Sequence, residues 1–174
     1  SETQRMHVFM DEVFERRVAA SPEAETYLGR KTEQQGQWDD YSDAFEDAQL
    51  ELARQDLAFL RDNFNYDALD DNGKLSYDLF VYNTEQDLDD AAWSRHDYVI
   101  DQFRGQISGL LAMLQNRHRL DTEKDAEDYI SRIAGLQTVF QELAWQLRDR
   151  SDFGVATPAF AYADMIEDIG TMTS

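Results

Sequence analysis

The sequence predicts an all-α protein, an irregular multi-helix bundle or array of about seven helices. Apolar residues recur at spacings of three and four through most of the 174 residues, and residues that cap helix N-termini precede several of these segments. No fixed repeat period is visible, which argues against a solenoid of regular units. We expect residues 1–174 to form a single helical domain, the N-terminal part of a longer protein.

The composition excludes several classes of function. With 16 Lys and Arg against 36 Asp and Glu, the net charge of −20 disfavours binding to nucleic acid or to anionic membranes. The 12% of aromatic residues indicate a folded core under this acidic shell. The absence of cysteine excludes disulfides and thiolate chemistry. No apolar run reaches the length of about 18 residues that a membrane span needs, so we expect no membrane insertion by this segment.

The N-terminal region predicts two helices. Ser21, Pro22 and Glu23 are typical of an N-cap, a first-turn proline and an acid that suits the helix dipole, so they begin the second helix, which Gly29 ends. The first helix is predicted by one apolar stripe: Met6, Phe9, Met10, Val13 and Phe14.

Two longer helices follow a loop. Residues 29–41 lack periodicity and hold two glycines, which predicts a loop. Ser42 predicts the N-cap of a helix that extends to about residue 62. After a break at residues 70–73, another helix is predicted from Leu75 to about Trp93.

The C-terminal half leaves two points open. Residues 96–105 have no helical period and form either a short extended piece or a buried crossing loop. A helical face runs from Ile107 to about His118, and Thr122 caps the next helix. Beyond Gly135 the pattern continues, as either a second helix of a hairpin or one kinked helix, and Pro158 restarts a helix near the end.

No local motif predicts catalysis or metal binding. A carboxylate-bridged metal bundle needs Glu-x-x-His pairs, but the residues three before the histidines are Gln4, Trp93 and Gln115. Ser108 lacks the glycines two residues before and after it that a nucleophile elbow requires. We therefore expect no catalytic residue, metal ligand or cofactor in this segment, with His118 a helix-end cation and His96 a loop residue.

Residues 70–76 resemble the middle of a calcium-binding loop. Asp70, Asn72, Gly73 and Ser76 fit positions three, five, six and nine, but the positions of the first ligand and the bidentate acid hold Ala68 and Leu79. We therefore interpret the stretch as a turn that starts a helix, with Asn72 as the cap and Gly73 relaxing the backbone.

One mixed run could line a cleft. Residues 97–105 combine aromatic, apolar and polar side chains outside the helical period, and they place an arginine in an acidic chain. The candidate cleft-lining residues are Tyr98, Gln102 and Arg104. The alternative is a segment that crosses the core, in which Arg104 pairs with a nearby acid.

Several sequence blocks, in order and spacing, resemble the N-terminal region of the bacterial family known as domain of unknown function 885. The blocks are Phe14-Glu15-Arg16, Ser21-Pro22-Glu23, Trp38-Asp39-Asp40-Tyr41-Ser42, Leu75-Ser76-Tyr77-Asp78-Leu79-Phe80, Gln102-Phe103-Arg104-Gly105, Asp125-Ala126-Glu127-Asp128-Tyr129-Ile130-Ser131-Arg132, and Gly154-Val155 with Pro158.

This resemblance implies a zincin-like metallopeptidase or hydrolase several times longer than this chain, often secreted or a lipoprotein. The His-Glu-x-x-His motif of the family lies in a later region, so no catalytic residue or metal ligand can be assigned here, and zinc would belong to the parent protein. The expected function is a non-catalytic helical region that forms one wall of the substrate cleft. Its expected partners are the remainder of its own chain and a peptide substrate, in the periplasm or as a cell-envelope lipoprotein. The alternative is a free-standing helical module that binds a partner protein through an apolar groove.

Overall fold

The computed structural model describes residues 1–101 and 106–171, and this part of the chain contains seven α-helices and no β-strand. The predicted all-α class is therefore confirmed. Short 3₁₀-helices at Tyr66–Ala68, Ser94–His96 and Ala159–Ala161 and a π-helical turn at Met113–Arg117 connect some of the helices. The helices are α1 (Glu2–Ala19), α2 (Pro22–Tyr27), α3 (Asp43–Asn63), α4 (Asp71–Ala91), α5 (Gln106–Ala112), α6 (Glu123–Asp152) and α7 (Tyr162–Thr171).

The residue contacts divide the chain into two compact units. The first unit comprises Ser1–Val18 and Ser42–Ser94, and so contains α3, α4 and nearly all of α1. The second comprises the described residues of Ala19–Tyr41 and Arg95–Ser174, and so contains α2 and α5 to α7. Each unit has its own apolar cluster, as the burial of its helix faces requires.

In the first unit, the apolar stripe of α1 packs against α3 and α4. Met6 and Leu60 are fully buried, and the Phe9 ring lies 5.6 Å from that of Phe64, centroid to centroid. Phe14, which the sequence stripe includes, is instead half exposed. The buried Asp56 accepts a hydrogen bond of 2.6 Å from the Arg16 guanidinium, which keeps its charge compensated.

In the second unit, the apolar face of α6 forms the centre of the core. Leu143 is almost fully buried among residues from α5, α7 and the segment before α5. The sequence predicts either an extended piece or a buried crossing loop at residues 96–105. The described residues 97–101 contain no strand, and Ile100 is buried in this cluster, so this part is a crossing loop. The buried members of the cluster are Ile100, Ile107, Leu110, Val139, Leu143, Ala161 and Met165.

The start of α4 corrects one prediction. Asp70 is the N-cap, and its Oδ1 accepts a hydrogen bond of 2.8 Å from the Gly73 backbone N–H, whereas Asn72 already lies inside the helix. Gly73 does not relax a turn, because it is the third helical residue. A Cβ at Gly73 would meet the Thr3 side chain at 2.8 Å, so the glycine permits α1 to approach closely.

The sequence leaves open whether a hairpin or one helix continues beyond Gly135. The structure has one helix there, α6, of 30 residues. Thr122 and Asp125 form the capping box that begins it, and Thr122 is the predicted cap. Gly135 does not interrupt the helix. A Cβ at Gly135 would lie 2.9 Å from Cδ1 of Trp38, so this glycine makes room for the indole ring.

Candidate ligand-binding cavity

A fully buried arginine ties the loop before α3 to α6 within the second unit. Arg132 Nε donates to the Gln37 carbonyl at 3.0 Å, and its Nη2 donates to Thr26 Oγ1 at 2.7 Å. In return, Trp38 Nε1 donates to the Arg132 carbonyl at 2.6 Å, and the guanidinium lies over the Trp38 ring. These contacts satisfy a charge that would be very unfavourable if it were buried alone, which points to a structural role for Arg132.

His118 belongs to the same buried network, and this differs from the predicted helix-end cation. The residue does follow the π-helical turn, but its side chain is buried, and Nε2 lies 2.9 Å from the Asp125 carbonyl. Its Nδ1 lies 3.4 Å from Arg132 Nη1. Because a guanidinium can only donate, Nδ1 acts as the acceptor and Nε2 as the donor in this arrangement.

Two carboxylates in the second unit bind each other's backbone. Tyr41 Oη donates to Glu23 Oε1 at 2.8 Å, while the Glu23 N–H donates to Asp39 Oδ1 at 2.9 Å. Asp39 Oδ2 also accepts from the Ser21 hydroxyl at 2.6 Å. Burial raises the pKa of Glu23, and the neighbouring Asp39 charge adds to the effect, whereas the Tyr41 hydrogen bond opposes it. Burial likewise raises the pKa of Tyr41. These groups therefore satisfy one another's hydrogen bonds, and they cap the N-terminus of α2.

A cavity of about 230 Å³ lies in the second unit where α6 ends. The last turns of α6, the loop that follows it, the start of α7 and the segment before α5 all contribute to its walls. Its surface is mostly apolar, with two tyrosines and two arginines among the lining residues. The lining residues are Tyr98, Val99, Leu147, Arg148, Arg150, Ser151, Val155, Ala156, Thr157 and Tyr162.

The end of α6 shapes one wall of the cavity. Gly154 has φ of +95°, a left-handed conformation that glycine adopts without a steric penalty. The Val155 N–H donates to the Arg150 carbonyl at 2.8 Å, and the Gly154 N–H donates to the Ser151 carbonyl at 3.0 Å. This pair of bonds is the Schellman motif, and it turns residues 155–157 back beside the last turn of the helix.

A buried side-chain hydrogen bond fixes the segment before α5, which forms another wall of the cavity. Thr157, which is 5% exposed, donates from Oγ1 to the Ile100 carbonyl at 2.8 Å. Because Ile100 is itself held in the core, this bond joins the loop after α6 to the segment that carries Tyr98 and Val99. A buried contact therefore holds this part of the cavity wall in place.

The two cavity arginines have different surroundings. Arg150 is buried, and its Nη1 lies 2.9 Å from Asp149 Oδ2, which Arg95 also contacts at 2.6 Å. The Arg95 hydrogen bond is the main cause of a lowered pKa at Asp149, and Arg150 contributes. Arg148 is exposed and forms no ion pair with any residue that the structure describes. It is the cavity cation that remains available to an anion.

The cavity contains only part of the site proposed from sequence. Tyr98 lines it and is 40% exposed, whereas Gln102 and Arg104 lie outside the described residues. Whether these side chains face a substrate remains a prediction. The sequence reasoning missed Arg148 and Tyr162, since charged residues at a helix end and aromatics in a helical stripe are normally explained by solvation and core packing. In the sequence, Gly154 and the helix restart predicted at Pro158 mark this region.

Side chains that commonly bind metal ions are not clustered in the part of the chain that the structure describes. Residues 1–101 and 106–171 contain no group of three His, Cys, Asp or Glu side chains placed to hold a metal ion. The zinc that the family resemblance implies for the parent protein remains a prediction. Within the same ranges, no helix combines the length and apolar character needed to cross a membrane.

Comparisons with known proteins place the chain in a family. A family model described as "Bacterial protein of unknown function (DUF885)" matches residues 22–174, which is most of the sequence. The match includes all of the second unit except residues 19–21, and so covers every residue that lines the cavity. No curated protein and no solved structure matches the chain. Because the model covers far more than half of its length, this chain belongs to the DUF885 family of bacterial proteins.

Proposed function

We propose that this chain is the non-catalytic helical region of a peptidase-like protein of the bacterial cell envelope, where it forms one wall of the substrate cleft. The observation that carries the proposal is the cavity at the end of α6, which has apolar and aromatic walls and a few polar groups. Ligand sites typically have this composition, with polar groups that orient a mostly apolar ligand.

In this proposal the bond-breaking groups come from the remainder of a longer chain, and any zinc is held there. The second unit contributes a fixed surface, since the Schellman turn and the Thr157 bond hold the lining residues in place. A peptide substrate would bind through one side chain in the cavity. The periplasmic or lipoprotein location forms part of the proposal and derives from the family resemblance.

Peptide binding without cleavage is the direct test. The ¹⁵N-labelled chain is titrated with a defined pool of short peptides, with and without added zinc, and the mixture is followed by NMR and mass spectrometry. We expect amide shifts concentrated at Val99, Ser151 and Ala156, with every peptide left intact. Metal-dependent peptide cleavage by this chain would overturn the non-catalytic role, and shifts confined to other surfaces would overturn the role of the cavity.

A second function is favoured by one surface of α4. Leu75, Leu79 and Tyr82 are 56%, 51% and 61% exposed and stand four and three residues apart, so they share one helix face. An exposed apolar stripe of this kind suits a helical module that binds a partner protein. Substitution of Leu79 with Lys would abolish partner capture in that case and leave the peptide shifts at the cavity unchanged.

A further inference from the structure

We infer that the cavity receives the C-terminal residue of a peptide, with an aromatic or large aliphatic side chain inside it and the free carboxylate bound by Arg148. This inference rests on the proposed function, because it takes the cavity to be the peptide-binding part of the chain. It adds the class of substrate, namely peptides with an unblocked, apolar C-terminal residue.

The volume of the cavity limits the ligand to a single side chain. Drug-sized ligands occupy sites of about 300 to 1,000 Å³, whereas an apolar cavity of about 150 Å³ is enough for a benzene ring. At about 230 Å³, this cavity fits one phenylalanine or leucine side chain better than several residues of an extended peptide. A peptide whose last residue fills the cavity would satisfy this size limit, because no further residue would have to fit beside that side chain.

The walls favour an apolar side chain. Val99, Leu147, Val155 and Ala156 provide aliphatic surface, and Tyr98 and Tyr162 provide rings. Aromatic rings bind other rings in offset or edge-on arrangements, which adds attraction beyond the burial of apolar area. The tyrosines therefore favour an aromatic residue over an aliphatic one.

Among the described residues that line the cavity, the charges favour a carboxylate at one place. The chain has an excess of 20 negative charges, so its general field repels anions, and a carboxylate needs a local cation. Arg150 is already engaged with Asp149, whose charge Arg95 also compensates. Arg148 forms no ion pair with a described residue even though acids outnumber bases by 36 to 16. Its planar guanidinium can bind a carboxylate through two parallel hydrogen bonds.

Three tripeptides separate the contributions of side chain and carboxylate. The full chain is titrated in low salt with Ala-Ala-Phe, with the same peptide as its C-terminal amide, and with Ala-Ala-Gly, and the amide shifts at the cavity give each Kd. We expect Ala-Ala-Phe to bind about fivefold more tightly than its amide, the size of effect that an exposed ion pair provides. Ala-Ala-Gly should show no saturable binding, because it leaves the cavity empty.

Two variants and a control assign these effects to residues. Arg148→Gln should make the acid and the amide bind equally, whereas Arg17→Gln, at an exposed arginine of α1, should preserve the fivefold difference. Ala156→Trp should block both phenylalanine peptides, because it fills the cavity from an exposed position. Circular dichroism of each variant verifies that the fold is retained.

Each remaining outcome overturns the inference. If acid and amide bind the wild-type chain equally, Arg148 does not recognise a carboxylate, although the cavity would still bind peptide as proposed. If Ala-Ala-Gly binds as well as Ala-Ala-Phe, the side-chain assignment is wrong. If no tripeptide binds at millimolar concentration while the mixed pool still shifts the cavity amides, the inference fails and the proposed function survives.

Discussion

Individual residues show how this acidic chain keeps polar groups inside its second unit. Arg132 is 0% exposed, and its charge is supported by hydrogen bonds to Gln37 and Thr26 and by the nearby acids Glu23 and Asp39. Burial lowers the pKa of Arg132, but a guanidinium starts so high that it remains charged. Glu23 responds differently to the same interior, because a carboxyl group can take up a proton.

The substitution Glu23→Gln tests this difference through the pH dependence of unfolding. Burial raises the pKa of Glu23 in the folded state, so its contribution to stability is present below the usual value of 4.5 and is lost as the pH rises through the folded pKa. Glutamine keeps an oxygen for the Tyr41 hydroxyl and cannot ionise. We therefore expect the variant to gain free energy of unfolding relative to wild type as the pH rises from 4 to 8, measured by urea denaturation.

Asp125→Asn supplies a control of opposite sign. Its Oδ2 accepts hydrogen bonds from Lys31 Nζ at 2.6 Å and from the Thr122 N–H at 2.8 Å, and the Lys31 bond is the main cause of its lowered pKa. That stabilisation is present above the usual pKa of 3.8 and is lost as the pH falls through the lower pKa of the folded state. The advantage of wild type over Asp125→Asn should shrink in acid. A pH-independent difference for Glu23→Gln would show that Glu23 keeps its ordinary pKa.

Sequence reasoning succeeds for residues whose partners are close in the chain. The caps Ser21, Ser42 and Thr122 are predicted correctly, because each binds a backbone N–H three residues ahead. The role of Arg132 is not predictable in this way. Its partner Gln37 is 95 positions distant, and no local pattern indicates that the two will meet.

At the scale of helices, glycine is the residue that sequence patterns interpret least well. Gly73 and Gly135 both suggest a break or a kink, yet both lie inside continuous helices. Each glycine stands where another side chain approaches, Thr3 in one case and Trp38 in the other. The pattern within a helix gives its period but does not show which neighbour needs the space of a missing Cβ.

The substitution Gly135→Ala compares the need for space beside Trp38 with the higher helix propensity of alanine. In an open helix, alanine is more favourable than glycine by about 1 kcal/mol. At Gly135 the new Cβ would lie 2.9 Å from the Trp38 ring, which its hydrogen bond to the Arg132 carbonyl holds in place. Overpacking of this kind costs about 1 to 3 kcal/mol, so we expect the variant to lose free energy of unfolding in urea denaturation.

Gly109→Ala is the matched control, because apart from its chain neighbours and the backbone of its own helix no atom lies within 4 Å of a Cβ at this position of α5. It should show the full gain in helix propensity, about 1 kcal/mol or less. If Gly135→Ala also stabilised the protein, the indole could move aside without cost. The close approach would then not explain the glycine.

At the scale of the whole molecule, the apolar stripes are assigned to two clusters that the sequence does not separate. Met6 and Leu60 belong to one cluster, and Leu110 and Leu143 belong to the other. A helical stripe shows which face of a helix is apolar, but it does not identify the neighbours against which that face packs, and a member such as Phe14 is still half exposed. For the same reason the sequence could suggest Tyr98 as a cleft residue but not the cavity shared with Arg148 and Tyr162.

The net charge of −20 predicts that salt stabilises the protein. Excess like charge disfavours the compact state, and at about 0.1 M salt the screening length falls to about 10 Å, which weakens repulsion across the surface. The exposed acids Asp89 and Asp90 add to this effect at the C-terminal end of α4, where the last turn has no basic residue and the helix dipole is negative. We expect Tm to rise when sodium chloride is raised from about 10 to 200 mM.

The double variant Asp89→Asn/Asp90→Asn localises part of this repulsion. It changes the net charge from −20 to −18, because two of the 36 acids are removed. Its Tm in low salt should exceed that of wild type, because the negative end of the helix dipole repels each of the removed charges at a cost of about 0.5 kcal/mol. The rise of its Tm with salt should be smaller. Surface ion pairs such as Arg61 with Glu85 have the opposite salt dependence, because screening weakens them. A Tm that falls with added salt would therefore mean that such pairs outweigh the repulsion among the excess acids.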